Sequence, residues 1–333
     1  MNVIDVLLSI IFLLLLMIPG FIMVKCKMLG ESAEGILSKI VLYACQPALM
    51  IIAFQKVGFR TDIAINMLIV AGIAMAVHLI CIGLMMLVFR NKAKDKKINS
   101  LKFASVFGNC AFMGVPFLQS VFANADQAMI GEITIYAGAV LFVFNVLTWS
   151  IGVFMMTGDK KQINLKNAVF NPTIIALVIA ILLFVIVKTP LSDIFIQNSV
   201  GDKIFEGLIK SLNFFSEMIT PLAMTVLGMK IANIKMGKLF ADKWGYVNAF
   251  NKLIVASVIT ILIVAFLPVS SLVKYALFFM LSMPSATSTV LFAVNFGGDS
   301  QSSSIYVLLS TILSAISIPL MFLVMNGLFG VQI

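Results

Sequence analysis

Charge is scarce in this chain. Asp, Glu, Lys and Arg make up 11% of its residues, against about 25% in an average soluble protein. With 61% of the residues hydrophobic, too little polar surface remains to cover a soluble core. Histidine occurs once, as His78. The four cysteines, Cys26, Cys45, Cys81 and Cys110, are scattered and mostly inside apolar runs. They form no CxxC or Cys/His ligand spacing, so neither a disulfide framework nor a zinc site is expected. The absence of a GxxxxGK[ST] run removes a P-loop ATPase. The net charge of +9 does not point to nucleic acid, because the basic residues sit in short connections where membrane topology accounts for them.

What the chain has instead is apolar runs of membrane-spanning length. Ten spans are expected, at about 6–24, 33–54, 63–89, 101–122, 130–156, 168–188, 205–230, 247–267, 272–294 and 303–325. The first is long for a signal peptide's apolar region and follows Asp5 rather than a basic segment, so it reads as a retained span. The seventh, interrupted by Lys210, Asn213 and Glu217, reads as an amphipathic approach with an apolar half beginning near Pro221. Seventeen of the 23 basic residues lie around the odd-numbered connections, Lys102 and Lys252 counted among them. The positive-inside rule then puts those connections in the cytoplasm and both termini outside a cytoplasmic membrane.

Two spans contain the wrong residues for an unbroken helix. One carries Gly108-Asn109-Cys110-Ala111-Phe112-Met113-Gly114-Val115-Pro116, the other Met283-Pro284-Ser285-Ala286-Thr287-Ser288-Thr289. Proline removes a donor and clashes with the preceding turn, and glycine weakens helical stiffness. A freed backbone group in hydrocarbon costs several kcal/mol, so a break at membrane depth is tolerated where it lines a cavity. Pro47 and Pro116 are 69 residues apart, Pro221 and Pro284 63. With five spans per half, these landmarks suggest an inverted repeat. Its halves are 1–156 and 168–333, joined by a cytoplasmic connection at 157–167. Paired interrupted helices of this kind mark transporter binding sites.

The breaks are expected to expose backbone donors, from Phe117, Leu118 and Gln119 after Pro116 and from Ser285, Ala286 and Thr287 after Pro284, favouring an anion. Asn109, Val115, Pro116, Pro284, Ser285, Thr287 and Ser288 are the candidate substrate contacts. The hydroxyls have an alternative in bonding back to their own helix. Asn145 reads equally as interhelical glue or as a contact, and Asn171-Pro172-Thr173 as a helix start or a contact. His78 could carry a proton or be a neutral structural histidine, and Glu217 could titrate or sit at the membrane edge. Neither break holds an acidic residue, so a carboxylate-based cation site there is not expected.

In these motifs the sequence resembles the auxin efflux carrier family, which includes plant PIN carriers and bacterial permeases associated with malate or malonate. The most specific parts are Gly108-Asn109 through Pro116-Phe117, and Met283-Pro284-Ser285-Ala286-Thr287 through Gly297-Gly298-Asp299. Gln46-Pro47-Ala48-Leu49, Asn171-Pro172, Pro221-Leu222-Ala223 and Leu227-Gly228-Met229 support them. The resemblance implies an all-α integral membrane fold of the sodium/proton-antiporter and bile-acid-transporter type. Its ten helices form two inverted five-helix repeats, with helices four and nine crossing at mid-membrane. It implies a scaffold of helices one, two, six and seven, a mobile unit of the other six, and a homodimer in the lipid. Asn109 matches a carboxylate-contacting asparagine of the plant relatives, and Asn145 falls where they carry glutamine. Gln46, Met50, Asn171 and Thr173 would face the site from the scaffold. Met50 stands where relatives have serine, which argues against auxin. Val294 replaces a charged residue, which weakens transfer of proton coupling.

The function expected is secondary transport of a small organic anion, a mono- or dicarboxylate, with no enzymatic step. No cofactor is implied; a coupling sodium ion or proton is compatible with the pattern. An intramembrane aspartyl protease, suggested by Gly297-Gly298-Asp299, lacks the second facing aspartate. A channel or sensor on a transporter fold is the remaining rival.

Overall fold

The computed structural model describes residues 3–30, 32–57, 60–92, 95–163, 166–187, 200–233 and 236–329. Lys94, Lys188 and Lys235, which belong to the charge pattern, lie outside them. Every element of the described residues is helical apart from a single bridge between two extended residues. In chain order they are α1 (Val3–Lys25), α2 (Ser32–Ile40), α3 (Gln46–Gln55), α4 (Thr61–Val88), α5 (Lys96–Val106), α6 (Val115–Val121), α7 (Gln127–Leu147), α8 (Val153–Thr157), α9 (Lys166–Val169) and α10 (Pro172–Val187). There follow α11 (Val200–Glu217), α12 (Ile219–Ala232), α13 (Met236–Ala241), α14 (Lys243–Phe250), α15 (Ala256–Ala265), α16 (Ser271–Ser282), α17 (Ser288–Asn295) and α18 (Ser300–Phe329).

Seven helical stretches among the described residues are long and apolar enough to cross a membrane, and three shorter apolar helices, Cys110–Val121, Pro172–Leu183 and Ser271–Ser282, accompany them. This is a multi-pass membrane protein. The interrupted seventh run resolves into α11 and α12, with the join at Met218.

Among the described residues four π turns widen these helices: Val41–Cys45 between α2 and α3, Cys110–Gly114 before α6, Thr148–Gly152 between α7 and α8, and Asn251–Val255 between α14 and α15. Such turns leave the regular backbone ladder locally and occur often at functional sites.

Helices in lipid have little hydrophobic drive to associate, so close packing at small residues holds them together. The contact of α1 with α12 is the tightest example. A Cβ on Gly20 would stand 2.0 Å from the Thr225 oxygen, and one on Gly228 would stand 1.9 Å from the Met17 oxygen. Only glycine lets these two backbones touch. Elsewhere buried aromatic rings fill the interior on both sides of the broken helices. Phe103 meets Phe107 and Phe292 at 4.6 and 5.0 Å, and Phe117 meets Phe279 at 5.0 Å.

Two residues counted among the connection charges are not in connections. Lys102 and Lys252 are 3% and 2% exposed, inside the packed helices. Each stands within an apolar run, where burial rather than topology governs it.

Candidate functional site

The two broken spans meet. Gly108 and Ser285 form an antiparallel bridge. The Asn109 amide donates to the Pro284 carbonyl at 2.7 Å, and the Ala286 amide donates to the Phe107 carbonyl at 2.8 Å. Each break thus satisfies two backbone groups that the other would leave bare in hydrocarbon, at a cost of several kcal/mol each. The ring contacts fix the pairing: α5 lies against α17 on one side of the bridge, α6 against α16 on the other.

The break is not where Pro116 stands. The chain leaves α5 after Val106, runs extended at Phe107, and resumes at Cys110 in a π turn that leads into α6. Pro116 lies within the continuous helix Cys110–Val121, directly after the π turn, whose irregular ladder accommodates its missing N–H. Phe117, Leu118 and Gln119 are therefore inside a continuing helix, not at an exposed start. Ser285 and Ala286 also lack free amides, because Ser285 donates to the Ser310 hydroxyl at 3.1 Å and Ala286 to Phe107. Two of the three backbone donors expected at the second break are thus taken up by the crossover, and the third, Thr287, leads into α17.

Side chains supply the unmet polarity instead. Asn109 is 2% exposed, and its Nδ2 has no hydrogen-bond partner among the described residues. The buried hydroxyls of Ser282, Ser288 and Thr289, around the second break, are likewise without partners. Leaving such a group unsatisfied costs about 1–3 kcal/mol, so a cluster of them at one place calls for an explanation. Thr287 precedes α17, and its side chain makes no cap bond.

Asn248 of α14, absent from the sequence-derived candidates, holds the second break. Its Nδ2 donates to Ser285 Oγ at 2.9 Å and to the Tyr306 carbonyl at 3.1 Å, and its Oδ1 accepts from Ser105 Oγ at 3.2 Å. Four elements are tied through one buried amide. Lys252 is the other residue missed. It lies in the π turn after α14, and its Nζ donates to the Leu281 carbonyl at 2.8 Å. The pair Asn248 and Lys252 inside the apolar run 247–267 was the available signal.

Three of the four residues expected on the scaffold side, Gln46, Thr173 and Asn171, join in one chain of bonds. Gln46 Nε2 donates to the Ala111 carbonyl at 3.2 Å, next to the first break. Its Oε1 accepts from Thr173 Oγ1 at 3.0 Å. Asn171 Oδ1 accepts from the Thr173 amide at 2.9 Å, which starts α10, and Asn171 Nδ2 donates to Asn145 Oδ1 at 3.0 Å. Asn145 itself donates to Leu141 one turn back. Met50 is fully buried, and its sulfur would stand 2.9 Å from a Cβ on Gly138. Val115 and Pro116 are buried in the packing of α6.

His78 of α4 reaches the crossover. Its Nδ1 donates to the Ala74 carbonyl at 2.7 Å, and its ring lies 5.9 Å from that of Phe107. Glu217 does not reach it. That residue lines a cavity of about 80 Å³ near the far end of α6, together with Lys56, Gln119, Thr134, Asn213 and Ser216. Asp299 is a helix cap: its carboxylate accepts from the Ser302 amide and hydroxyl at 2.9 and 2.7 Å.

A buried crossing of two interrupted helices in a multi-pass membrane bundle is transporter architecture. The family described as membrane transport protein matches this chain twice, over residues 5–169 and 160–322. The chain belongs to that family, the auxin efflux carrier family that its motifs resemble. It is also similar to an uncharacterized transporter of Methanocaldococcus jannaschii, 25% identical over 286 residues, covering 84% of this chain and 86% of the relative.

Proposed function

We propose that this protein is a secondary transporter that carries a small organic anion, a mono- or dicarboxylate, across the cytoplasmic membrane. The anion binds at the crossover, between Asn109 and the Ser285–Thr289 segment. The observation that carries this reading is the buried Asn109 amide nitrogen without a partner. It is a donor waiting for an acceptor, at the place where a helix from each half of the chain comes apart.

Ten spans arranged as two inverted five-helix repeats give the rest of the mechanism. The double match of the family along the chain supports the repeat. Helices one, two, six and seven form the scaffold and dimerise. Helices three to five and eight to ten carry the crossover past it, elevator-fashion, with both termini outside. Gln46, through the Ala111 carbonyl, and Asn171, through Asn145, are polar contacts of the scaffold with the moving unit, and Thr173 braces Gln46 from within the scaffold. A ligand shifts such an equilibrium only by binding its states unequally, so the carboxylate must gain or lose scaffold contacts between them.

Purified protein in proteoliposomes tests this. Saturable counterflow with at least one small carboxylate is expected. Single-channel currents without counterflow would instead assign a pore.

A further inference from the structure

Lys252 is buried where the two broken helices meet. Its Nζ bonds to the carbonyl of Leu281, the penultimate residue of α16. The last four carbonyls of a helix have no partner inside it, and the aligned peptide dipoles leave a partial negative charge at that end. The lysine also lies against the other break. A Cβ on Gly108 would stand 3.0 Å from Lys252 Cε and 3.1 Å from Nζ, so a residue without a side chain is what admits the ammonium there.

No carboxylate forms an ion pair with Lys252 among the described residues. The titratable groups that face it are His78 and Cys81 of α4 and Cys110 of the π turn before α6. A cation held this deep is costly and marks a functional position. Its surroundings of backbone carbonyl, helix C-terminus and no acid are those of a site for a monovalent metal ion in a broken-helix transporter.

We propose that Lys252 is the resident cation of the crossover. Its ammonium takes, as a fixed part of the chain, the position at the negative end of α16 that an inorganic coupling cation would occupy. The crossover therefore binds no sodium ion. Under the carrier reading, on which only this consequence rests, transport proceeds without a sodium gradient.

The test is thermal unfolding of the purified full-length protein in detergent, which needs no substrate and so stands apart from the counterflow assay. The wild-type midpoint should be the same in sodium chloride and in choline chloride at equal ionic strength. Lys252→Met should lower it by about 5 °C or more. That direction is diagnostic, because replacing an idle buried charge with a well-packed apolar side chain is commonly neutral or stabilising. Lys252→Ala, which clears the ammonium's place, should acquire a saturable rise in midpoint with sodium or lithium, a response that loss of packing alone does not produce. A saturable sodium response in the wild-type protein overturns the assignment. So does a Lys252→Met variant as stable as wild type, or a Lys252→Ala variant indifferent to both alkali cations.

Discussion

The amide of Asn109 donates to the carbonyl of Pro284 across 175 positions of sequence, at 2.7 Å. This bond and its neighbour from Ala286 to Phe107 pair four of the backbone groups that two helices breaking inside the membrane would leave bare. The Asn109 Nδ2 is left without a partner among the described residues. In the proposed carrier, folding and recognition divide between two parts of this one residue, backbone for the first and amide side chain for the second.

Asn248→Ala should destabilise the fold without touching the Asn109 amide. It removes the bonds to Ser285 Oγ, the Tyr306 carbonyl and Ser105 Oγ, and leaves buried groups unpaired at about 1–3 kcal/mol each. A clearly lowered thermal midpoint is expected. A midpoint equal to wild type would remove Asn248 as the holder of the second break.

Gly228→Ala should prevent α1 and α12 from docking, since the new methyl would stand 1.9 Å from the Met17 oxygen. Overpacking of this kind costs about 1–3 kcal/mol or more, and here the obstacle is backbone, which cannot swing aside. Gly35→Ala is the control, because nothing lies within 4 Å of its Cβ position. Folded yield and midpoint in detergent should fall for the first and hold for the second.

Gln46 and Thr173 should be energetically coupled. A double-mutant cycle with Gln46→Leu and Thr173→Val should give a coupling of about 0.6 kcal/mol, the average for interhelical hydrogen bonds in membranes. Additive effects on the thermal midpoint would mean that the 3.0 Å contact does no net stabilising.

Much of the architecture was legible in the sequence because hydrocarbon enforces its own rules. Apolar run length located α1, α4, α7 and α18, and Pro284 and Asn109 marked the breaks, since few residues interrupt a helix at depth without purpose. Where the helix resumes after the first break was not legible. Pro116 is the conspicuous helix breaker in that run, yet the helix runs through it from Cys110, and Phe107 to Asn109 form the gap because the bridge partner at Ser285 reaches them. π turns leave no periodic trace in sequence, so the widening beside Asn109 and Lys252 could not be read there. Lys252 was counted as a loop charge because a lysine near the end of an apolar run reads the same whether it snorkels to the surface or points inward. Only the packing of α4, α14 and α16 around it decides.

The most direct test of the crossover as an anion site is counterflow by Asn109→Ala in proteoliposomes, beside its thermal midpoint in detergent. Removing a side chain whose Nδ2 has no partner should leave the midpoint within about 1 °C of wild type or raise it. The apparent affinity for the transported carboxylate should fall about tenfold or more, the loss expected of one hydrogen bond to a charged group. Unchanged affinity in an equally stable variant would contradict the account and move the anion away from the place where the two helices cross.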